Sequence, residues 1–417
     1  MRRFPKTIGF GVLTDIRPAG LPEARPTRSI FTALTGHRLF AAVLTLAAAL
    51  RVVTMLGYRP AQLYWYDSFT YLDAAVHLKP SFAFHPIGYP LLLRVLWPFH
   101  SVGVIAGVQH AMGLGTGVMI YALLRRRSLP AWGAALATVP VLFDASFLRL
   151  EHAVLSDTQF IFLIVAGLTT LMWSPELSTR AATGAGLLFA MAALTRTIAL
   201  PLLLLVLVLL AVRRVGWRPL AAAAIAGILP LVAYAGWYDH HYGRFALNSA
   251  DGVALWARTM TFADCAVLKP PADQRVTPAF GFAHGSRPLP EQPLIGEVKR
   301  EYDPGIRGLY SVRPYADLLI AYQYPAYLRG PPLGAILLLG AAGAVLRRRA
   351  VLLPWGVAVA LLVAPVAVLD FDHRYVLPVV PIACLAAALA VRELVRPAIR
   401  EPVRRRPPRR RPARPAG

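Results

Sequence analysis

The chain has 417 residues; 57% are hydrophobic and 16% are charged, well under the roughly 25% charged of a soluble domain. Its formal charge is +23 and its cysteines number two. Together these exclude a soluble enzyme, a disordered protein, a collagen-like fibre, a disulfide scaffold and a zinc or iron–sulfur cluster protein, and leave a polytopic membrane protein.

Residues 1–36 form a basic, Pro-rich arm that is predicted to be disordered. Its basic part is too long for a cleavable signal peptide, and no small-residue cleavage site follows it. A membrane span needs about 20 mostly apolar residues. Such runs lie near 39–57, 102–124, 131–148, 154–173, 181–195, 197–212, 219–238, 330–346, 351–369 and 375–391. The two runs flanking Arg196 are short, but together they are too long for one span, and Pro201 would interrupt a single helix. The expected architecture is all-α, with about ten transmembrane helices. Seven fall within 37–238 and three within 330–394, with large outer loops at 58–101 and 239–329 after the first and seventh. The basic tail, 395–417, is predicted to be disordered. Cys384 lies inside an apolar run and Cys265 in a loop, so no bridge between them is expected.

Arginine clusters fix the orientation. With the N-terminus inside, the arm, Arg125-Arg126-Arg127, Arg180, Arg213, Arg214, Arg218, Arg347-Arg348-Arg349 and the tail all face the cytoplasm, and nearly the whole positive excess falls there. An odd number of spans would put the two basic ends on opposite sides. The expectation is a multi-pass plasma-membrane protein with both termini cytoplasmic. Topogenesis and attraction to anionic lipid headgroups explain runs such as Arg404-Arg405-Arg406, so membrane lipids are expected partners and nucleic acid is not.

Polar residues collect on the outer side. The first outer loop carries Asp67, Asp73, His77, Lys79, His85 and Arg94. Arg149, Glu151, His152 and Asp157 follow, then Arg196, and finally Asp370, Asp372, His373 and Arg374. Each has two readings. In Tyr64–Ala75, Asp67 and Tyr71 are four apart, as are Phe69 and Asp73, which predicts an amphipathic interfacial helix; Asp67 either caps it or faces chemistry. Its aromatic residues suit an interfacial belt or a sugar-stacking wall. Glu151, His152 and Asp157 either fix helix packing or support the first loop and orient an acceptor. Arg51 and Asp144, inside apolar runs, are either buried partners or membrane-edge residues. Nucleotide-activated substrates are absent outside the cell, so a transferase on that side needs a donor carried on lipid.

Five segments occur in a telling order: an acidic residue in a large first outer loop, His85-Pro86-Ile87-Gly88-Tyr89-Pro90, Glu151-His152-Ala153-Val154-Leu155-Ser156-Asp157, Leu194-Thr195-Arg196, and Phe371-Asp372-His373-Arg374-Tyr375-Val376-Leu377-Pro378. Over about 39–391 this resembles the GT-C glycosyltransferases that use polyprenyl-phosphate sugars, the group of protein O-mannosyltransferases and aminoarabinose transferases. That group has a seven-span core with large outer loops after spans one and seven. It commonly carries Asp-Glu in the first loop, whereas here Ser68 follows Asp67, and Asp73 is the candidate for the missing acid.

The resemblance implies transfer of a sugar, with inversion, from a polyprenyl-phosphate donor to an acceptor glycan, lipid or protein on the outer face. Asp67 would be the general base. Arg196 and Arg374, with His85 and His373, would hold the departing phosphate, because a guanidinium forks onto phosphate oxygens. Asp73, Glu151, His152 and Asp157 would support and orient. No cofactor is required; Mg²⁺ or Mn²⁺ between carboxylates and phosphate is compatible with this chemistry, but no ligand spacing indicates a metal. The competing reading is a transporter or lipid flippase, which predicts internal repeats and Gly/Pro-broken helices near mid-membrane; no convincing repeat links the two halves, and the polar residues lie at the outer edge instead of mid-span.

Overall fold

The apolar runs of the sequence are helices in the computed structural model, which describes residues 37–64, 67–80, 85–249, 295–306, 308–346, 349–368 and 373–404. The basic arm to residue 36 and the tail from 405 lie outside the described residues. The first helix, α1 (Arg38–Gly57), is mostly apolar, with Arg51 buried inside it. A two-residue strand, β1 (Tyr58–Arg59), and two short helices, α2 (Asp67–His77) and α3 (Gly88–Leu96), lie in the connection that follows. Helix α4 (Val102–Arg126) descends from there and ends in its arginine cluster.

The next run is broken. Helices α5 (Ala131–Leu136), α6 (Val139–Phe143) and α7 (Ala145–His152) follow in close succession. The chain bends by 55° at Asp144, whose carboxylate accepts from Ser146 N at 2.7 Å and caps α7. Helices α8 (Asp157–Met172), α9 (Thr179–Thr195), α10 (Leu200–Val212) and α11 (Trp217–Tyr242) complete the first group. Between α9 and α10 the backbone of Arg196 is extended (φ −148°, ψ 124°), and Pro201 sits in the first turn of α10. Two helices therefore flank Arg196, because a proline there cannot continue the hydrogen-bond ladder of α9.

Helix α9 packs most extensively on α11. Gly186 permits this, since a Cβ there would lie 2.3 Å from the Ala223 carbonyl oxygen; small residues let helix backbones approach closely where lipid surrounds the bundle. The last group is α14 (Gly330–Val345), α15 (Arg349–Val368) and α16 (Val379–Arg404), after α12 (Ile295–Tyr302), β2 (Tyr310–Ser311) and α13 (Tyr315–Gln323) in the returning part of the long loop. Helix α16 is described as far as Arg404, and the basic tail beyond it lies outside the described residues.

Five of these helices are long and apolar enough to cross a bilayer, or six if the bent pair is one span. Helices α8, α10 and α14 are apolar but shorter.

The described end of the long 239–329 connection is fastened to the first group. Strands β1 and β2 pair antiparallel, Tyr58 opposite Ser311. Tyr302 donates to Leu93 O at 2.8 Å, and Asp303 accepts from Val102 N at 3.1 Å, capping α4. Lower down, Asp144 also accepts from Leu328 N at 2.6 Å. Of the 239–329 loop, residues 250–294 and 307 lie outside the described residues.

Candidate active site

Asp67 is the first residue of α2. Arg374 sits in the 3₁₀ turn His373–Val376 that precedes α16. The fold brings these residues together across 307 positions of sequence: Arg374 Nη1 donates to Asp67 Oδ2 at 3.2 Å. His85, just ahead of α3, places Nε2 3.5 Å from the other carboxylate oxygen. Burial alone would raise the Asp67 carboxyl. The hydrogen bond and charge of His85, then those of Arg374, outweigh it and hold the group below its ordinary value of 3.8. Asp67 is thus an ionised acceptor at neutral pH.

Arg196 lies beside this pair. Its Nη1 donates to Asp157 Oδ1 in the first turn of α8. Asp157 Oδ2 is buried and has no hydrogen-bond partner among the described residues. The ring of Tyr375 lies between the two arginines, its centroid 5.3 Å from each guanidinium carbon, and the Tyr64 ring approaches Arg374 at 5.5 Å. Such faces attract cations and hold guanidinium planes in place. Tyr71 donates to or accepts from Ser156 Oγ at 2.8 Å, with its ring 4.9 Å from His85. Burial pushes its phenol up, so it stays protonated.

From Asp157, Arg196 and Tyr375 a narrow cleft continues along Phe160, Ile198, Leu361, Pro365 and Pro378. One end is charged and the rest is apolar. The arrangement can hold an anionic head against two arginines with an apolar tail beside it, and it sets a carboxylate next to that head.

The remaining expected residues are placed elsewhere. Asp73 faces away from Asp67 and pairs with Lys79 at 2.8 Å and His77 at 2.9 Å. The two acids are six positions apart along the helix, which turns their side chains to different faces. Glu151 and His152 are buried deeper, against Arg51 and His110. His373 opens the 3₁₀ turn, but its side chain, like Phe371 and Asp372, lies outside the described residues. Among the described residues no three His, Cys, Asp or Glu side chains converge as a metal would require. Sequence reasoning left Tyr64 and Tyr71 between an interfacial belt and a sugar-stacking wall, gave Tyr375 no role, and missed His110 and Gln109 altogether. An ionisable residue eight positions into an apolar run was the available signal for His110.

Apolar helices of spanning length, with a carboxylate–arginine cluster gathered at their ends, define a polytopic helical membrane protein. No family model matches the chain, and no curated protein matches it in sequence. Its structural neighbours are glycosyltransferases. It is similar to ArnT from Cupriavidus metallidurans in the apo state, with 17% identity over 88% of this chain and 62% of that one, at a TM-score of 0.48. It is also similar to the archaeal oligosaccharyltransferase AglB from Archaeoglobus fulgidus in complex with an inhibitory peptide and a dolichol-phosphate, with 14% identity over 88% of this chain and 52% of that one, at a TM-score of 0.46. A third is the S. cerevisiae protein O-mannosyltransferase Pmt1-Pmt2 complex bound to the sugar donor, with 14% identity over 52% and 35%, at a TM-score of 0.38. The chain thus spans less than two thirds of the length of these solved chains.

Proposed function

We propose that the chain is an integral-membrane glycosyltransferase that moves a sugar from a polyprenyl-phosphate donor to an acceptor glycan, lipid or protein on the outer face of the plasma membrane. The observation that carries this reading is the cluster of Asp67, His85, Arg374, Arg196 and Asp157. It is assembled from distant segments at one end of the bundle, beside a cleft with apolar walls. Two guanidiniums and a lipid-facing slot suit a phosphate with a long hydrocarbon chain; a soluble donor would need no such slot. The accompanying topology is ten spans, seven in 37–238 and three in 330–394, with both termini cytoplasmic. The coincidence of helices with each predicted run and the one-sided arginine clusters support it.

In this mechanism the acceptor hydroxyl oxygen bonds to the anomeric carbon as the bond from that carbon to the phosphate oxygen breaks. The hydroxyl proton goes to Asp67 and the configuration inverts. The lipid phosphate leaves with its negative charge against Arg196 and Arg374. A carboxylate of lowered basicity can serve, because glycosyl transfer passes through an oxocarbenium-like state in which the proton leaves late. Aimed cationic donors are worth about 3–4 kcal/mol at such a developing charge. Donor phosphate would compete with Asp67 for Arg374, releasing the carboxylate as the donor binds. Tyr375 holds the two arginines at a common spacing.

The test is consumption of polyprenyl-phosphate sugars by the purified chain in proteoliposomes without any gradient. Asp67→Asn keeps the shape and loses the base, and the expected rate loss is about 10²–10⁴-fold. Transfer at the parental rate by a folded variant overturns the role of Asp67. Activity that requires two compartments and leaves the sugar–phosphate bond intact replaces the transferase reading with a transporter.

A further inference from the structure

The break at Asp144 leaves polar backbone that one continuous helix would satisfy. Asp144 is extended (φ −68°, ψ 130°), so the last carbonyls of α6 and the first N–H groups of α7 must find partners elsewhere. Arg51 Nη1 donates to Leu142 O at 3.0 Å. The other partners come from the end of the 239–329 connection. The Tyr322 hydroxyl donates to Phe143 O, Ala145 N donates to Ala326 O at 2.7 Å, and Leu328 N donates to Asp144 Oδ2 at 2.6 Å.

Helix α1 is a ruler for the depth of this break. Its 20 residues measure about 30 Å, the thickness of a hydrocarbon layer. Arg51, which reaches Leu142 O, lies about 9 Å below the Gly57 end. His152 Nε2 lies 2.7 Å from Tyr58 O, which sets the top of α7 level with that end, and the eight residues of α7 add about 12 Å. Both measures put Asp144 about 10 Å below the end of α1. Residues 315–328 make the same descent. Just ahead of them Val312 N donates to Gly57 O at 2.8 Å, and a Cβ on Gly57 would lie 3.3 Å from Ala316 N; their far end is bonded to Asp144. Helix α14 begins directly afterwards. Its 16 residues measure about 24 Å, too short for a whole layer but enough for what remains below Asp144.

We propose that residues 315–328 lie inside the hydrocarbon layer as a splint over the broken helix, and that their exposed face contacts phospholipid acyl chains. Between Asp317 and Arg329 the sequence carries no charge. Leu318, Ile320, Tyr324 and Tyr327 are exposed, as Leu46 and Val52 are on α1. In hydrocarbon an unpartnered carbonyl or N–H is costly, and non-helical backbone persists there only where protein partners it. Tyr322, Ala326 and Leu328 are partners of that kind. The charged groups sit at the two ends. Arg313 pairs with Asp317 at 3.5 Å near the Gly57 level, and the stem of Arg329 is long enough to carry its guanidinium toward the headgroups. The splint lets a span that breaks at an aspartate stay in the bilayer, and it shortens the water-exposed part of the 239–329 connection. None of this depends on sugar transfer.

The experiment uses the full chain in liposomes of phosphatidylethanolamine and phosphatidylglycerol, on a Cys265→Ser background in which Cys384 is buried. A nitroxide is attached to a cysteine introduced as Tyr324→Cys, Leu46→Cys or Arg313→Cys, three exposed positions. Oxygen concentrates in hydrocarbon and a nickel chelate in water, so collisions with each report depth. At Tyr324→Cys oxygen should outweigh the chelate, as at Leu46→Cys, while Arg313→Cys shows the reverse. Chelate collisions at Tyr324→Cys matching those at Arg313→Cys place the segment in water and overturn the proposal. Shielding from both reagents means that protein covers this face and overturns the lipid contact. Amide exchange tests the splint. Tyr322→Phe removes the donor to Phe143 O and should speed exchange at Ala145 about ten-fold, leaving the α9–α11 contact at its parental rate. Unchanged exchange at Ala145 overturns the splinting role.

Discussion

His85 and Arg374 each face one oxygen of the Asp67 carboxylate, and both favour its ionised form. Their effect on pH dependence has a definite sign. The folded-state value lies below the ordinary 3.8, so the stabilisation is fully present above that value and is lost as pH falls through the folded one. Melting temperature measured from pH 7 to 3 should show a constant gap between wild type and Asp67→Asn down to about pH 4, closing below it. A gap that closes between pH 7 and 5 contradicts the ion pair. A second residue-scale prediction concerns two glycines of α4. At Gly113 a Cβ would lie 1.9 Å from Glu151 Oε1, whereas at Gly107 nothing lies within 4 Å. Gly113→Ala should cost about 3 kcal/mol by dislodging one partner of a buried ion pair. Gly107→Ala should be neutral or stabilise by about 0.5–1 kcal/mol, and thermal unfolding of the two variants checks both. The sequence made Asp67, Arg196 and Arg374 visible as charged residues at run ends. It could not pair Asp67 with Arg374, because the pairing depends on how helices separated by hundreds of residues are turned toward one another. Asp73 shows the same limit in reverse, since proximity in sequence to Asp67 did not bring it to the same helix face.

The helices themselves were legible, because a long apolar run has few structural solutions in a bilayer. The break at Arg196 was legible for a related reason: an arginine followed by a proline five residues on cannot lie inside one span. The 55° bend at Asp144 was not, since an aspartate in an apolar run reads equally as a buried partner or a membrane edge. In the structure it is a helix cap that also accepts from Leu328 N. Close contact between elements gives the third prediction. The obstacle to a side chain at Gly186 is the Ala223 backbone, which cannot rotate aside. Gly186→Ala should therefore separate α9 from α11 at a cost of about 1–3 kcal/mol, seen as a lower melting temperature. A variant as stable as the parent means the two helices do not approach as described.

Orientation belongs to the whole molecule, and the asymmetry of arginine predicts it. Cys384 is buried, so Cys265→Ser leaves a background without an accessible thiol. In intact cells an impermeant thiol reagent should then label a cysteine introduced as His100→Cys, at the turn before α4, and should leave one introduced as Ser128→Cys, after its arginine cluster, untouched. The reverse pattern would place the Asp67 cluster inside the cell and remove the need for a lipid-borne donor. The helices bordering that cluster add one more consequence. Helices α8, α9 and α10 have 16, 17 and 13 residues, and the longest of them measures only about 26 Å. A hydrocarbon layer is about 30 Å thick, so this side of the bundle imposes hydrophobic mismatch on the surrounding bilayer. The bilayer meets shorter spans by thinning or by drawing flanking polar residues toward the interface; in the proposed transferase, a thinned leaflet would bring a donor phosphate nearer the depth of Arg196.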